Sequence, residues 1–475
     1  MKAKFIKNFI AVFFIFLLGL VFSKGLVDRN WLILTIPTIV LFFSFFLYRL
    51  DKLLLFIIFC APFSLRLSEL FKFEGLDLLF PTEPLLFGLM SIIIFKMIYN
   101  ISLFKEILSH YISFFIFMYL VWMLFCSFTS TMPLISLKLL ITRLWYIFPC
   151  FIFATLIFIK DQNKILYFVF SYSISFSFVI IYTLIKHSAY FFSGPSSNWV
   201  VAPFFDDHTS YGAMLAFFIP ILFLFSFSKK INGWLKLLSF ILFSLFFVAI
   251  IFSYTRAAWL SLFGAIVLGF LIKLKINLRH IFGIFLVFVI MLIPFRNQIQ
   301  SVISDNKQDS SSSYLEHIQS IYNIKSDASN MERINRWKCA IEMFKEKPIV
   351  GYGPGTYQFQ YGVFQMHDDK TIISTNGGDM GNAHSEYLSA LSETGFIGLL
   401  LFIFMIISIF YKSILLYYHE SNEMKKIYLL GSIIGLLTYF IHGLFNNFLD
   451  LDKAAIPIWF FVAIIVSLDL KKVKT

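Results

Sequence analysis

Three arginines and one histidine carry the chemistry this sequence can offer. Arg256 stands in Ser253-Tyr-Thr-Arg-Ala-Ala-Trp259, between two apolar runs. Arg333 and Arg336 belong to Met331-Glu-Arg-Ile-Asn-Arg-Trp337, and His384 to Gly381-Asn-Ala-His-Ser-Glu-Tyr387. A guanidinium matches phosphate geometry through two parallel hydrogen bonds. An arginine at a membrane boundary is costly unless it snorkels, pairs or binds an anion. Arg256 is therefore either an interfacial anchor or an anion clamp. Arg333 and Arg336, three residues apart, share a helix face, although Glu332 can pair with one of them. With Arg256 on the same side of a membrane, the three suit a diphosphate. His384 precedes a helix start, whose positive end disfavours imidazolium, so its ring can stay neutral near pH 7 and accept a proton. The plainer alternative for His384 is packing at the interface.

Other constellations are weaker. Gly351-Tyr-Gly-Pro-Gly355 lacks the Gly-Lys-Ser/Thr ending of a nucleotide loop. Gly353 and Gly355 either build a backbone nest for phosphate or make a tight turn with no ligand. Asp206, Asp207 and His208 stand side by side, weak evidence for a metal; capping of the following helix suits them better. Gly-x-Ser-x-Gly, His-Glu-x-x-His and paired-cysteine motifs are missing, which leaves serine-hydrolase and zinc-protease chemistry without support.

These residues need elements to position them, and composition says which. The chain has 475 residues, 59% hydrophobic and 14% charged, with mean hydropathy +0.82. Soluble domains carry about 25% charged residues. Fourteen apolar runs approach the roughly 20 residues a span needs: near 5–23, 30–49, 53–68, 79–99, 108–127, 139–159, 165–185, 209–228, 235–253, 257–272, 280–296, 396–416, 427–448 and 454–470. The 53–68 and 257–272 runs are short. The expectation is an all-α polytopic membrane protein with about 12 to 14 transmembrane helices and a partly helical external loop domain.

With the N terminus in the cytoplasm, more than twice as many Lys and Arg fall inside as in the short outer loops. This places both termini inside and the polar insert, roughly 297–395, outside. The net charge of +12 follows from that topology and does not call for nucleic acid. The basic start resembles a signal peptide, but with no small-x-small site after it an uncleaved first span is expected. Cys60, Cys126, Cys150 and Cys339 have neither metal nor redox spacing. Three regions are expected: a helix bundle over 1–296, the loop domain over 297–395, and C-terminal spans over 396–475. In the insert, Ser329 and Glu332 form a capping box and apolar residues recur at helical spacing from Met331 to Phe344. That helix should stop before Pro348. Asn382 should cap a second helix that Gly395 ends.

Together, Ser-x-Thr-Arg-Ala-Ala-Trp, Arg-x-x-Arg-Trp followed by Pro-Ile-x-Gly-Tyr-Gly-Pro-Gly-Thr-Tyr, and Asn-Ala-His-Ser-Glu-Tyr-Leu-x-x-Leu-x-Glu-x-Gly resemble the O-antigen ligase/polymerase superfamily. The resemblance covers about residues 200–448. It implies a bacterial inner-membrane glycosyltransferase with a periplasmic loop domain. Such an enzyme passes glycan from undecaprenyl diphosphate to an acceptor hydroxyl, on lipid A-core or a growing polysaccharide, with no nucleotide sugar, metal or other cofactor. Arg256 is similar to the membrane-boundary arginine that contacts the diphosphate. Arg336, before Trp337, best matches the loop arginine, with Arg333 in reserve; His384 matches the histidine proposed to activate the acceptor. Glu386 and Tyr387 are candidates for acceptor binding, and Asp207 for substrate binding. The chain is longer than typical ligases, which leaves room for a polymerase of exported polysaccharide. A transporter would place charges mid-membrane, where only Glu83 and Arg143 come near.

Overall fold

The computed structural model describes residues 49–68, 78–276, 280, 331–366, 370, 374 and 381–472. The chain divides into Met1–Ile57 and Ile58–Thr475. In the first unit the described residues open helix α1 (Leu50–Cys60), where Arg49 Nε donates to Asp51 Oδ1 at 3.3 Å.

The second unit begins with a two-residue antiparallel ribbon, β1 (Leu65–Arg66) with β2 (Leu79–Phe80), Leu65 facing Phe80. Then follow α2 (Thr82–Tyr99), α3 (Tyr111–Phe128), α4 (Pro133–Lys160), α5 (Lys164–Ser188), α6 (His208–Phe227), α7 (Gly233–Phe252) and α8 (Arg256–Lys273). Residues 331–346 form α9. The chain closes with α10 (Glu386–His419), α11 (Glu423–His442) and α12 (Asp452–Lys472). Among the described residues, ten helices are long and apolar enough to cross a membrane. The chain is an all-α, multi-pass membrane protein.

Ten of the fourteen apolar runs thus become spans. The runs near 5–23, 30–49 and 280–296 lie almost wholly outside the described residues. The 53–68 run does not form a span: its helix is α1, 11 residues long, and the chain then turns at Pro62 into β1. The run was apolar enough, but proline and the ribbon end the helix early. Residues 257–272, despite their shortness, form α8.

Helices α6 and α12 are the most buried spans. Phenylalanine packs the bundle: Phe217 meets Phe461 at 4.5 Å between centroids, Tyr172 stacks on Phe218 at 4.6 Å, and Phe168 lies parallel to Phe460 at 5.3 Å. Lipid is as apolar as these rings, so their contribution is close packing rather than escape from water. Each aromatic pair adds about 0.5–1.5 kcal/mol. In α4 the helix widens to a π turn over Phe148–Phe153, where Pro149 supplies no N–H for regular pairing.

Helix α9 ends at 346, ahead of Pro348, as its pattern predicts. Ser329 lies outside the described residues. Helix α10 departs from expectation at its start. Its cap is Ser385, which accepts from Leu388 N–H; Asn382 instead takes His384 N–H at 3.0 Å. At Gly395 the helix breaks as expected, the residue being non-helical at φ 70°, ψ −172°, and the following span runs from there to His419. That break frees carbonyls, and the glycine loop takes them. Tyr352 N–H donates to Ser392 O at 3.0 Å and Gly353 N–H to Glu393 O at 2.8 Å, while Phe396 N–H turns to Pro348 O at 2.9 Å. A small core under the loop joins Cys339, Ala340 and Met343 to Tyr352, Tyr357, Tyr361 and Ala383.

Candidate functional site

The site lies at the bundle end where α6, α8 and α10 begin and α11 finishes. Its ties start with Asp207, the N-cap of α6, whose Oδ1 accepts from Ser210 N–H and Thr209 Oγ1, both at 2.7 Å. Asp206 forms an ion pair with Arg66 at 2.7 Å. The acidic pair therefore caps and braces, as the capping reading expects. Next, Thr255 Oγ1 donates to His208 O at 2.8 Å, which fixes the turn before α8 against the start of α6. Arg256, first residue of α8, is exposed.

Helix α9 brings both loop arginines here, in different roles. Arg336 is buried; Nε donates to Glu332 Oε1 at 2.6 Å and the guanidinium carbon lies 3.9 Å from the Tyr361 ring centre. Its Nη1 is buried without a hydrogen bond. Gly381 lies directly on that guanidinium, leaving no room for a side chain. Glu332 is held in turn by Asn335 and Ser374; its carboxyl lies below the usual range, Ser374 and Arg336 outweighing burial. Arg333 has a buried Nε with no partner. Burial lowers its pKa, and the Asp207 carboxylate opposes that. Arg333 thus lies within electrostatic reach of Asp207, whereas Arg336 is tied to its own helix.

His384 sits in the left-handed region at φ 48°, which is uncommon for a residue other than glycine. Both sides of its peptide are pinned: its N–H by Asn382, its carbonyl by Trp337 Nε1 at 3.2 Å. Burial, then Arg333 and Arg336, push its imidazole down to about 4, against Asp207 and Glu332. The neutral ring is thus the stable form near pH 7. The cause differs from the expected one: burial and cations dominate, and Ser385 occupies the helix cap.

Residues 241–403 match the family model described as O-antigen ligase. This match supports the O-antigen ligase/polymerase superfamily for the chain. It spans Arg256, Arg333, Arg336, the glycine loop and His384, and is narrower than the 200–448 of the sequence resemblance. No curated protein matches the chain.

Within the matched region, other candidates have fixed partners. Glu386 is buried, and its Oε1 accepts from Tyr439 Oη at 2.5 Å, Phe448 N–H at 2.8 Å and Leu449 N–H at 2.9 Å. Tyr387 Oη donates to Phe440 O at 3.0 Å. Both sew α10 to the end of α11 and the turn after it. Gly353 (φ 110°) and Gly355 (φ 76°) belong to the latch against α10. The loop's N–H groups are consumed there: Gly351 by Lys347 O, Thr356 by Gly353 O, and Gly355 and Tyr357 by the Glu393 carboxylate. The tight-turn reading fits this geometry, and a phosphate nest does not.

Sequence reading passed over Tyr361, which faces Arg336, and His442. His442 is buried at the end of α11, its Nε2 3.1 Å from Asn446 Nδ2, and it feels the charges of Arg333 and Asp207. A histidine closing an apolar run at the loop-domain end was the available signal. The two mid-membrane charges are internally matched. Arg143 forks onto Asp450 at 2.8 and 3.1 Å, and Glu83 accepts from Tyr146 Oη at 2.8 Å and Leu79 N–H at 3.0 Å. Both brace helices through these partners.

Proposed function

We propose that this protein is a membrane glycosyltransferase of O-antigen ligase type, passing glycan from undecaprenyl diphosphate to an acceptor hydroxyl on the periplasmic face of the inner membrane. The observation that carries the reading is a neutral, backbone-pinned His384 beside two arginines with unpartnered guanidinium nitrogens. His384 accepts the proton of the acceptor hydroxyl. The hydroxyl oxygen bonds to the anomeric carbon, the bond to the diphosphate breaks, and the diphosphate leaves as an anion. Attack opposite the leaving group inverts the anomeric centre. Arg256 and Arg333 stabilise the departing charge. Arg336, clamped by Glu332 and Tyr361, positions α9 and offers Nη1. Preferring Arg333 over Arg336 for the diphosphate reverses the order that sequence matching gave.

The test is deletion of the gene followed by electrophoresis of surface and lipid-linked glycans, with Arg256→Ala and His384→Ala restored in its place. Loss of glycan from the acceptor, with long polymer building up on the lipid carrier, supports a ligase. A single repeat unit on the acceptor with no ladder supports the polymerase reading, for which the chain length leaves room. An unchanged pattern, or full activity in both variants, overturns transfer altogether.

A further inference from the structure

At the end of the bundle opposite the arginine–histidine site lies a cavity of about 380 Å³, partly open to its surroundings. Sites for bound molecules commonly span about 300–1,000 Å³. Helix α10 begins at the reaction site, and Lys412, near its other end, lines this cavity. Asp469 comes from the end of α12, and Glu106, Ser109, His110 and Tyr111 from the turn that leads into α3.

Asp469 ties the three helices together here. Its Oδ2 accepts from His110 Nε2 and from Lys412 Nζ, both at 3.0 Å. His110 caps α3, its Nδ1 accepting from Ile112 N–H at 3.2 Å, so its proton is on Nε2 and the ring adds no charge. Neither donor uses Asp469 Oδ1. The lining thus carries one ammonium against two carboxylates, Asp469 and Glu106. A purely anionic guest would add to that excess of negative charge. A guest with both an ammonium and an anion fits: the first meets the carboxylates, the second Lys412 and the positive start of α3.

The wall says where such a guest comes from. Ile98 and Tyr99, which end α2, are 80% and 88% exposed, and Ile101, Leu103 and Tyr111 are exposed as well. Lys96 and Lys105, also exposed, stand among them. Bulky apolar side chains bare of protein contact, interleaved with lysines, mark a segment that lies in the membrane interface. The cavity therefore opens among lipid headgroups.

We propose that this cavity binds the headgroup of a phospholipid that has a phosphate and a primary ammonium, the ammonium on Asp469 and the phosphate on Lys412. A quaternary ammonium has no N–H to give Asp469 Oδ1. The lipid would join α3 and α12 to the far end of α10, the helix that begins just after His384. The site stands whether or not the chain transfers glycan.

The experiment takes the full chain in detergent and adds phosphatidylethanolamine, phosphatidylcholine and phosphatidylglycerol, with identical acyl chains, in equal amounts. Native mass spectrometry then reads which lipid is retained. Wild type is compared with Asp469→Asn, Lys412→Gln, Ser109→Trp and Lys229→Gln. Asp469→Asn and Lys412→Gln break an ion pair, so the unfolding midpoint of each is measured beside its lipid retention. Ser109 is exposed, so Ser109→Trp fills the cavity and leaves Asp469, His110 and Lys412 bonded, and it decides even where the other two loosen the fold. The expected result is wild-type retention of phosphatidylethanolamine about ten- to a hundredfold above the other lipids, the scale of one charge-assisted hydrogen bond. Asp469→Asn, Lys412→Gln and Ser109→Trp should lose that preference. Lys229→Gln, exposed in the turn after α6, should keep it. Equal retention of the three lipids by wild type, a preference for phosphatidylglycerol, or a preference that survives Ser109→Trp overturns the site.

Discussion

His384 combines a left-handed backbone, a half-buried ring and two nearby cations, each unfavourable alone. A backbone in that region costs about 1–3 kcal/mol and persists only where surrounding contacts dictate it; here Asn382 and Trp337 do so. The depressed pKa of about 4 fixes the sign of a pH effect. An ordinary histidine takes up its proton near pH 6.5; this one stays a base until pH approaches 4. Transfer measured per folded molecule should hold steady as pH falls through 6.5 and decline only as it nears about 4. A break near 6.5 would remove His384 from the role of base. His384→Gln should lower the rate roughly 10²–10⁴-fold with normal accumulation in the membrane, the usual worth of general base catalysis. Glu386, two residues on, has the opposite character. Its carboxylate is filled by Tyr439, Phe448 and Leu449, so Glu386→Ala should lower stability by about 1–3 kcal/mol in thermal unfolding. An unchanged midpoint with lost transfer would return Glu386 to acceptor binding.

At the scale of elements, the glycine loop and the break in α10 form one device. Gly395 interrupts the helix, and Tyr352 and Gly353 cap the carbonyls this exposes. Gly353→Ala would strain φ 110° and drive a Cβ into Ser130 and Ser136. The expected cost is about 1–3 kcal/mol, read as a lower unfolding midpoint and faster protease cutting near residue 350. Wild-type behaviour in both measurements would mean that the latch does not hold the loop. Sequence made the loop visible as a tight turn, because glycine and proline punctuate locally. It could not reveal the partner: Ser392 and Glu393 are about forty residues away, and Thr131, which donates to Tyr352 O, is more than two hundred away. The cap of α10 escaped for a related reason. Asn382 and Ser385 are both good caps by type; the structure uses Ser385, and the next residue, Glu386, gives its N–H to Gly443 O at 2.8 Å, just past the end of α11. Apolar runs, by contrast, announced ten spans, since length and hydropathy are local properties. The arginines and histidine were legible as residue types; that Arg333 comes within electrostatic reach of Asp207 while Arg336 turns to Glu332 depended on packing.

For the molecule as a whole, the proposed chemistry stands on which face of the membrane the site occupies. The bias of Lys and Arg predicts that α9 and the start of α10 are outside and the turn between α6 and α7 is inside. Cys126, Cys150 and Cys339 are buried and Cys60 is partly so, which keeps labelling background low. Lys345 on α9 and Lys229 after α6 are both exposed. A membrane-impermeant maleimide added to intact spheroplasts should label Lys345→Cys and not Lys229→Cys; permeabilisation should make Lys229→Cys reactive. The reverse pattern would put His384, Arg256 and Arg333 in the cytoplasm. There a nucleotide sugar could serve as donor and the lipid diphosphate would lose its claim. The expected pattern leaves the arginines facing a compartment without nucleotide sugars, where a glycan already energised by a lipid-borne diphosphate is the donor that needs two guanidinium groups to leave.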